Sequence, residues 1–404
     1  MLDTIVLTLD PPQFSVADPE RFSPSAEGLF RPPFYLLGAR GNFSCVQNGT
    51  KADFDAAIYR PRLTLTKRKS TAGFSVTLRI EFSAPKLIFG NNFDELCSED
   101  FETVLAALHK SLMAMGIRVL VDDLRAARVS AIHYSKNIAF TDFTTCSMVM
   151  SELERIDLNQ RLDLSRTDWR NGGHAVRYHA NSFEITFYDK MKDLRQAKIS
   201  EKRAIEDDYR PQLDIFKDRA AFLKQLEILR MEVRLGTRAK IMSIMKRVGA
   251  TIEPTFAALF DASIAKDVLG LFWAEVRAQL PVIDLARDRR PEDVFAELAV
   301  AAKGSARVGT LLQQLGAAML VGSVGFRAAG AILSRHCCAR SWQRCKRGLK
   351  SLPAAKSAGF AALKHVDATL AEFKPLCMST FQVLPAPSSI LINRGSKKRE
   401  NSAR

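Results

Sequence analysis

The stretch Asn181-Ser-Phe-Glu-Ile-Thr-Phe-Tyr-Asp-Lys-Met-Lys-Asp-Leu194 alternates apolar and polar residues and then becomes charged. Side chains of a strand point to alternate faces, so the two faces of this stretch carry different sets of residues. The apolar set is Phe183, Ile185 and Phe187, and the polar set is Glu184, Thr186 and Tyr188. The alternation predicts a strand that buries one face and presents Tyr188 near its end.

Two lysines, Lys190 and Lys192, follow Tyr188 closely. A tyrosine oxygen can attack a phosphodiester, and neighbouring ammonium groups can offset the negative charge of the phosphate. The same pattern also fits a half-exposed strand tyrosine beside a solvated cluster of Lys and Asp. Tyr188 is therefore a candidate nucleophile, and Lys190 is a candidate catalytic cation.

Composition indicates a soluble globular protein that interacts with phosphate. The chain has 404 residues, of which 47% are hydrophobic and 25% are charged, and this size suggests two or three domains. Lys and Arg number 59 against 44 Asp and Glu, which gives a net charge of +15. Such a balance predicts a phosphate-rich partner, although net charge does not separate DNA, RNA and an anionic membrane.

Cysteine usage and the N-terminal sequence favour the cytoplasm. The seven cysteines are scattered without CxxC spacing, which indicates neither a disulfide framework nor a thiolate zinc site. No basic region precedes the short apolar run after Met1, so a signal peptide is not expected. The apolar stretch from Val308 to Phe326 contains four glycines, which favours a buried helix pair over a transmembrane span.

The pattern of elements predicts an α+β fold, with a mostly antiparallel sheet covered by helices and followed by an all-helical C-terminal region. After about Thr251, prolines separate segments rich in Ala and Leu, and strand signals become few. We therefore expect a catalytic domain over residues 1–250 and a helical DNA-binding domain over 251–352. Residues 353–404 should form a helix-like stretch and a disordered tail that begins near Pro385.

Three further polar residues, Glu81, His133 and Glu232, fall on predicted strands. Two carboxylates and an imidazole suit Mg²⁺ or Mn²⁺, for which oxygen ligands dominate and one nitrogen is tolerated. A divalent ion there could polarise a scissile phosphate while Tyr188 attacks it. The predicted metal ligands are thus Glu81, His133 and Glu232.

A basic segment from Arg335 to Lys350 contains no acidic residue. Such a segment suits a phosphate backbone, and its alternative interpretation is a solvated basic helix face. The predicted DNA contacts in this segment and around the candidate nucleophile are Lys192, Arg230, Arg234, Arg340, Arg344, Lys346 and Arg347.

Five motifs in order resemble the gene II/X family of rolling-circle replication initiators of filamentous phages and plasmids. They are Met1-Leu-Asp-Thr-Ile-Val-Leu7, Ile80-Glu-Phe-Ser-Ala-Pro-Lys86 with Gly90-Asn-Asn-Phe93, Ala131-Ile-His-Tyr-Ser-Lys-Asn137, Phe187-Tyr-Asp-Lys190 and Leu229-Arg-Met-Glu-Val-Arg-Leu235. The resemblance covers roughly residues 1–245 and extends weakly to Ser341-Trp-Gln-Arg344.

The resemblance implies a site-specific nickase that cuts one strand of origin DNA and stays joined to the 5′ phosphate through a tyrosine, here Tyr188. It implies origin DNA as partner, both as the double-stranded replicative form and as single strand, together with a host helicase and polymerase. It implies no membrane and places the protein in the host cytoplasm. The chain departs from the two-histidine signature of the related HUH endonucleases, because Tyr134 and Ser135 follow His133.

Two rival functions remain open from the sequence. A non-catalytic DNA-binding regulator would explain the positive charge and leave Tyr188 with a structural role. A metal-dependent nuclease that uses water would cut DNA without becoming attached to it.

Overall fold

The computed structural model describes twelve segments of the chain. They are residues 1–27, 43–70, 73–140, 144–157, 162–168, 174–196, 227–250, 252–278, 289–302, 306–336, 339–350 and 361–377. The predicted disordered tail after Pro385 lies outside the described residues.

The strands of the described segments account for most of the N-terminal half. They are β1 Leu2–Leu9, β2 Phe14–Val16, β3 Phe43–Gln47, β4 Arg62–Ser70, β5 Gly73–Ser83, β6 Ile117–Val119, β7 Arg128–Phe140, β8 Asp163–Asp168, β9 His174–Ala180, β10 Phe183–Asp189 and β11 Glu227–Leu235.

Helices lie between the strands and are the regular elements of the described segments after β11. They are α1 Lys51–Asp55, α2 Ala84–Phe89, α3 Phe101–Ala114, α4 Val121–Arg125, α5 Cys146–Glu154, α6 Lys190–Gln196, α7 Arg238–Arg247, α8 Phe256–Leu259, α9 Ala262–Arg277, α10 Pro291–Ala301, α11 Val308–His336, α12 Ala339–Lys350 and α13 Ala361–Glu372.

Nine strands form one sheet in the order β3-β4-β5-β1-β7-β11-β10-β9-β8, and β2 pairs with β6 in a separate ribbon. All neighbouring strands of the large sheet are antiparallel. The α+β class with a mostly antiparallel sheet and following helices is therefore confirmed. The hairpin of β4 and β5 and the hairpin of β9 and β10 are also as the alternation predicts.

One face of the sheet is apolar and is covered by helices. Phe183 contacts Phe272 of α9 with ring centroids 4.8 Å apart, and Phe187 lies 6.3 Å from Trp273 in the same helix. The Tyr134 hydroxyl donates a hydrogen bond of 2.8 Å to the carbonyl of Leu259 in α8. Because these residues alternate with polar ones, the opposite face of the same strands is left to the polar set.

Residues on both sides of the predicted domain boundary at 250/251 contribute to one hydrophobic cluster. Phe82 of β5 packs edge-to-face on Phe256 of α8, with ring centroids 5.8 Å apart. Phe140 of β7 lies 5.5 Å from the ring of His365 in α13. The C-terminal helices therefore rest on the sheet itself.

The loop that follows α2 lies where β1 begins and supports the centre of the polar face. The Met1 ammonium donates to the Ser135 carbonyl at 2.5 Å. Two residues later on β7, the Asn137 side chain donates to the Phe93 carbonyl at 2.8 Å. β1 begins at Leu2, so beyond this point the loop after α2 lies next to β7 instead of β1. Asn92, which precedes Phe93 in this loop, therefore lies at the polar face.

Helix α11 is interrupted at Gly325, which has φ 84° and ψ 165°. The next residue, Phe326, donates its N–H to the Arg155 carbonyl at 2.8 Å, so the break lies against the end of α5. The break divides α11 into two helical parts, and it lies at the C-terminal end of the stretch from Val308 to Phe326 for which the sequence predicts a helix pair. By length and composition, the 26 residues Val308–Leu333 could also cross a membrane, a test that core helices of soluble proteins pass as well.

Replacing Gly325 by Ala should destabilise the protein. A Cβ at this position would lie 2.7 Å from the Arg155 carbonyl oxygen, and the positive φ disfavours any side chain. We expect the free energy of unfolding to fall by about 1–3 kcal/mol, measured by urea unfolding and thermal melting. Gly316→Ala in the same helix is the control, because its added Cβ meets no atom within 4 Å and should be neutral or stabilising. Equal stability of the two variants would contradict this account.

Candidate active site

The polar face brings three neighbouring strands together around Tyr188. In the register of β10 and β11, Tyr188 lies opposite Arg230, and Thr186 lies opposite Glu232. In the register of β11 and β7, Arg234 lies opposite His133. Residues that are far apart in the chain therefore share one surface, because strand pairing aligns them.

Tyr188 is buried, with 9% of its surface exposed. Its hydroxyl donates to Glu232 Oε2 at 3.3 Å. Burial raises the pKa of Tyr188 well above its ordinary value; Arg230 opposes this shift and Glu232 adds to it. The phenol is therefore held protonated and aimed at a carboxylate.

Glu232 is the central acceptor of this cluster. Arg234 Nε lies 2.7 Å from Glu232 Oε1, and His133 Nδ1 lies 3.5 Å from the same oxygen. Burial alone would raise the pKa of Glu232, but Arg234 and then His133 outweigh it and lower the pKa to about 2. The carboxylate is thus ionised throughout the physiological range. The pKa of His133 is lowered, chiefly by desolvation, so that its ring is neutral near pH 7.

Lys190 is the first residue of α6 and is fully buried. Its ammonium donates to Asn92 Oδ1 at 2.9 Å and lies 5.8 Å from the ring centroid of Tyr188. Burial lowers the pKa of Lys190 to about 8, which keeps the side chain mostly charged at pH 7. A cation is therefore fixed beside the tyrosine ring.

Arg230 lies under this cluster rather than on the surface. It forms an ion pair of 3.0 Å with Asp3, and its guanidinium also donates to the Asn92 carbonyl at 2.7 Å and to Ser135 Oγ at 2.7 Å. A guanidinium that is 2% exposed and whose terminal nitrogens are bound by protein groups does not reach a DNA backbone. The prediction of Arg230 as a DNA contact is corrected accordingly, and Arg230 becomes a residue that positions the site.

The structure brings His133 and Glu232 together but keeps Glu81 apart. Glu81 lies on β5, with β1 between its strand and that of His133, and it forms an ion pair of 3.5 Å with Arg79. Since Glu232 is already neutralised by Arg234, the three predicted ligands as placed do not fit a divalent metal ion. Strand alternation gives the face of a residue correctly but leaves the order of the strands open, which explains the difference.

A cluster not singled out by the sequence lies elsewhere in the described part of the chain. The ligand atoms of Cys146, Asp189 and Glu227 all lie within 4.8 Å of one another. Both carboxylates accept backbone hydrogen bonds, Glu227 from the Cys146 N–H at 3.0 Å and Asp189 from the Lys192 N–H at 2.9 Å. These bonds satisfy the N-terminal turns of α5 and α6, and they account for the cluster without a bound ion.

The remaining predicted DNA contacts differ in exposure. Arg340, Arg344 and Arg347 are exposed and spaced at i, i+4 and i+7, so they follow one face of α12. Lys346 in the same helix is buried against Asp157 and forms an ion pair with it, which removes it from the set of surface cations. Arg234 is about one third exposed and bound to Glu232, and Lys192 is half-buried at the start of α6.

Sequence reasoning missed the residues that support the site, namely Asp3, Asn92 and Asn137. Each of them lies within a motif that carries the family resemblance, and that position is the signal that could have identified them. Comparisons of the chain with protein-family models, with curated proteins and with solved structures found no match.

Replacing Arg230 by Met should destabilise the fold strongly. The variant leaves the carboxylate of Asp3 buried without its ion-pair partner, and breaking a buried pair in this way costs about 3–5 kcal/mol. Urea unfolding followed by circular dichroism measures the loss. Arg177→Met is the matched control, because Arg177 is half exposed in its 3.1 Å ion pair with Glu184, and such pairs contribute at most about 1 kcal/mol. Losses of similar size in both variants would show that Arg230 has no special role.

Proposed function

We propose that this chain is a rolling-circle replication initiator that nicks origin DNA by transesterification and remains attached through a phosphotyrosine at Tyr188. The observation that carries the proposal is the hydrogen bond of Tyr188 to the ionised Glu232, beside the buried ammonium of Lys190. Attack on a phosphodiester is favoured when a hydrogen-bond acceptor orients the nucleophile and nearby cations offset the negative charge of the phosphate.

In the proposed reaction the Tyr188 oxygen attacks phosphorus, and the bond from phosphorus to the 3′ oxygen of the preceding nucleotide breaks. The phenolic proton passes to Glu232, its hydrogen-bond acceptor at 3.3 Å. The 3′ oxygen leaves as a hydroxyl after it takes up a proton from solvent. The ester conserves the energy of the broken bond, so attack by a 3′ hydroxyl reverses the step and rejoins the strand without ATP.

Electrostatics supply most of the catalysis in this proposal. Negative charge grows on the phosphate oxygens during attack. The buried ammonium of Lys190, held by Asn92 and Asp193 at 5.8 Å from the centroid of the Tyr188 ring, stabilises this charge through its electric field and not by direct contact. A cation that is already in position loses little free energy to reorganisation when the charge develops. Arg230 contributes at longer range, because its buried charge opposes the rise in the pKa of Tyr188.

No step is routed through Mg²⁺ or Mn²⁺. Glu81 does not reach the pair of His133 and Glu232. Both oxygens of Glu232 already have partners, Oε1 with Arg234 and His133 and Oε2 with Tyr188. His133 and Glu232 instead orient Tyr188: the neutral imidazole and the guanidinium of Arg234 fix the carboxylate that receives the hydroxyl.

Origin DNA is the proposed partner, and α12 supplies the proposed contact with its backbone. The exposed face of Arg340, Arg344 and Arg347 provides three guanidinium groups on successive turns, which suits sequence-independent binding of phosphates. The net charge of +15 supports the same partner. A single strand must reach Tyr188 for the attack, so binding of duplex and binding of single strand should be separable.

Tyr188→Phe should abolish the covalent adduct while binding to origin DNA stays within a few-fold of the parent. The measurement incubates the protein with a labelled single-stranded oligonucleotide from the origin of its own replicon, followed by a denaturing gel and peptide mapping. Tyr178→Phe is the control, because Tyr178 is a buried tyrosine on the neighbouring strand whose hydroxyl bonds to Leu153 on the other face. Adduct formation by Tyr188→Phe would remove this residue from the mechanism.

The same assay separates the rival functions. A DNA-binding regulator would neither nick supercoiled DNA nor form an adduct, and a nuclease that uses water would nick without an adduct.

Glu232→Gln should reduce nicking of supercoiled origin DNA by about 100-fold or more, because the amide can neither take the proton of Tyr188 nor pair with Arg234. The sequence alone predicts a loss for Glu81→Gln as well. From the structure we expect that variant to stay within a few-fold of the parent, since Glu81 does not contact the cluster. Both variants are assayed across a Mg²⁺ titration, with thermal melting to verify folding. Undiminished nicking by Glu232→Gln would rule out its proposed role.

A further inference from the structure

A cavity of about 730 Å³ is lined in part by residues of β1, β4 and β5, which adjoin one another in the sheet. Residues of the β4–β5 hairpin, α1 and α2 line it, among them Lys51, Tyr59, Arg62, Glu81 and Lys86. Cavities that bind small ligands have volumes of about 300–1,000 Å³, which includes the size of a nucleotide. The cavity is therefore large enough for one unit of a nucleic acid.

Lys86 is the residue that indicates the charge of the ligand. It is 9% exposed, belongs to α2 and lines the cavity. Within the described part of the chain, no hydrogen bond or ion pair to its ammonium is present. An ammonium that lines a cavity and has no partner among the described residues is available to bind an anion that enters the cavity.

Arg62 adds a second cation at the cavity. It lies directly across from Glu81 in the register of β4 and β5, but Glu81 pairs with Arg79 instead. No described residue forms an ion pair with Arg62, which is exposed. Among the acidic residues of the lining, Asp53 is bound to Arg60 at 2.8 Å, and the charge of Asp55 is balanced by that of Lys51. The charge left to a ligand is therefore positive.

An aromatic ring is fixed in the same lining. The Tyr59 hydroxyl accepts a hydrogen bond of 2.8 Å from the Ser83 N–H, which ties the ring to the end of β5. The ring is half-buried and lines the cavity. Nucleic-acid bases stack on such rings with little dependence on sequence.

The cavity is lined by strands of the same sheet that carries Tyr188. Thr4 lines the cavity and lies opposite His133 in the register of β1 and β7. Four strand spacings separate β5 from β10, which amounts to about 19 Å. Burial, and then Arg230 and Lys86, lower the pKa of Lys190, so the ammonium of Lys86 acts on the active-site lysine. A strand of a few nucleotides could span both places.

We propose that this cavity binds one nucleotide of the single-stranded DNA that leads to Tyr188, with a phosphate on Lys86 and Arg62 and the base against Tyr59. The destination of the strand rests on the proposed function, whereas the nucleotide site itself does not. The cavity would fix the register of the strand and thereby help to choose the phosphodiester that Tyr188 attacks.

The test measures binding of a labelled single-stranded origin oligonucleotide to full-length protein that carries Tyr188→Phe, so that covalent capture does not contribute. Adding Lys86→Met, which keeps the aliphatic stem, should weaken binding about tenfold, as expected for the loss of one charge-assisted hydrogen bond. The slope of log Kd against log salt concentration should fall by about 0.7, as for one lost phosphate contact with a single strand. Thermal melting verifies that each variant is folded.

Two variants make the result specific. Arg62→Gln should also weaken oligonucleotide binding. Because Arg62 is exposed, this substitution should not disturb folding. Lys266→Met is the matched control, because Lys266 is exposed on α9, which packs on the other face of the sheet, and it should leave both affinity and slope unchanged. Unchanged affinity and slope in Lys86→Met would overturn the proposal, whatever the adduct assay shows.

A final arm separates a strand from a free nucleotide, which carries the same chemistry. A mononucleotide should compete only weakly with the oligonucleotide, since it provides one phosphate and one base. Tight binding of the mononucleotide that depends on Lys86, with oligonucleotide affinity unaffected by Lys86→Met, would identify an effector site and overturn the role in strand binding. Loss of oligonucleotide binding in Lys86→Met, with an adduct still formed by Tyr188→Phe, would instead support the cavity and contradict the proposed nucleophile.

Discussion

The buried guanidinium of Arg230 is the constraint on which the polar face depends. Burying a charge is costly unless it is paired and hydrogen-bonded, and the partners of Arg230 come from three separate parts of the chain. Asp3 lies at the start of β1, Asn92 lies in the loop after α2, and Ser135 lies on β7. The order of strands must bring these groups to β11, since otherwise the charge would be buried unpaired. The buried guanidinium of Arg230, which is costly to desolvate, therefore also favours the strand arrangement that brings its partners together.

The same charge acts differently on the groups around it. It helps to keep Glu232 ionised, opposes the rise in the pKa of Tyr188 and adds to the lowering of the pKa of Lys190. Burial dominates for the tyrosine and the lysine, whereas ion pairing dominates for the carboxylate. The result is a protonated phenol, a charged acceptor and an ammonium near its titration point within one cluster. The proposed attack on phosphate rests on these three states, which occur together on this face.

Alternation along single strands could be predicted from the sequence, whereas contacts between distant segments could not. The 183–189 run gives both the strand and the face of Tyr188, and the 227–235 run does the same for Glu232. Alternation does not reveal that β1 lies between Glu81 and His133, so the predicted metal ligands do not meet. It also treats Arg230 and Arg234 alike, although only Arg230 is sealed by Asp3 and Asn92. From sequence alone, basic residues near a candidate site are therefore assigned as ligand contacts, and only their burial in the structure shows which of them can reach a ligand.

Lys346 extends this reasoning to the helical half. Its ammonium is buried against Asp157, just after α5. At the end of α5, the Arg155 carbonyl accepts a hydrogen bond from the N–H of Phe326, next to the break of α11 at Gly325. Both contacts tie α11 and α12 to a helix that packs on the apolar face of the sheet through Tyr178. The buried ammonium of Lys346 therefore fixes α12 against α5, and the exposed arginines of α12 are positioned with it.

Glu95 also joins distant parts of the chain, because its carboxylate accepts hydrogen bonds from the backbone N–H groups of Asn137 and Leu376 at 2.5 and 2.8 Å. The loop that carries Asn92 is thereby joined to the C-terminal segment, so a displacement of the helical half would reach the residues that position Lys190 and Arg230.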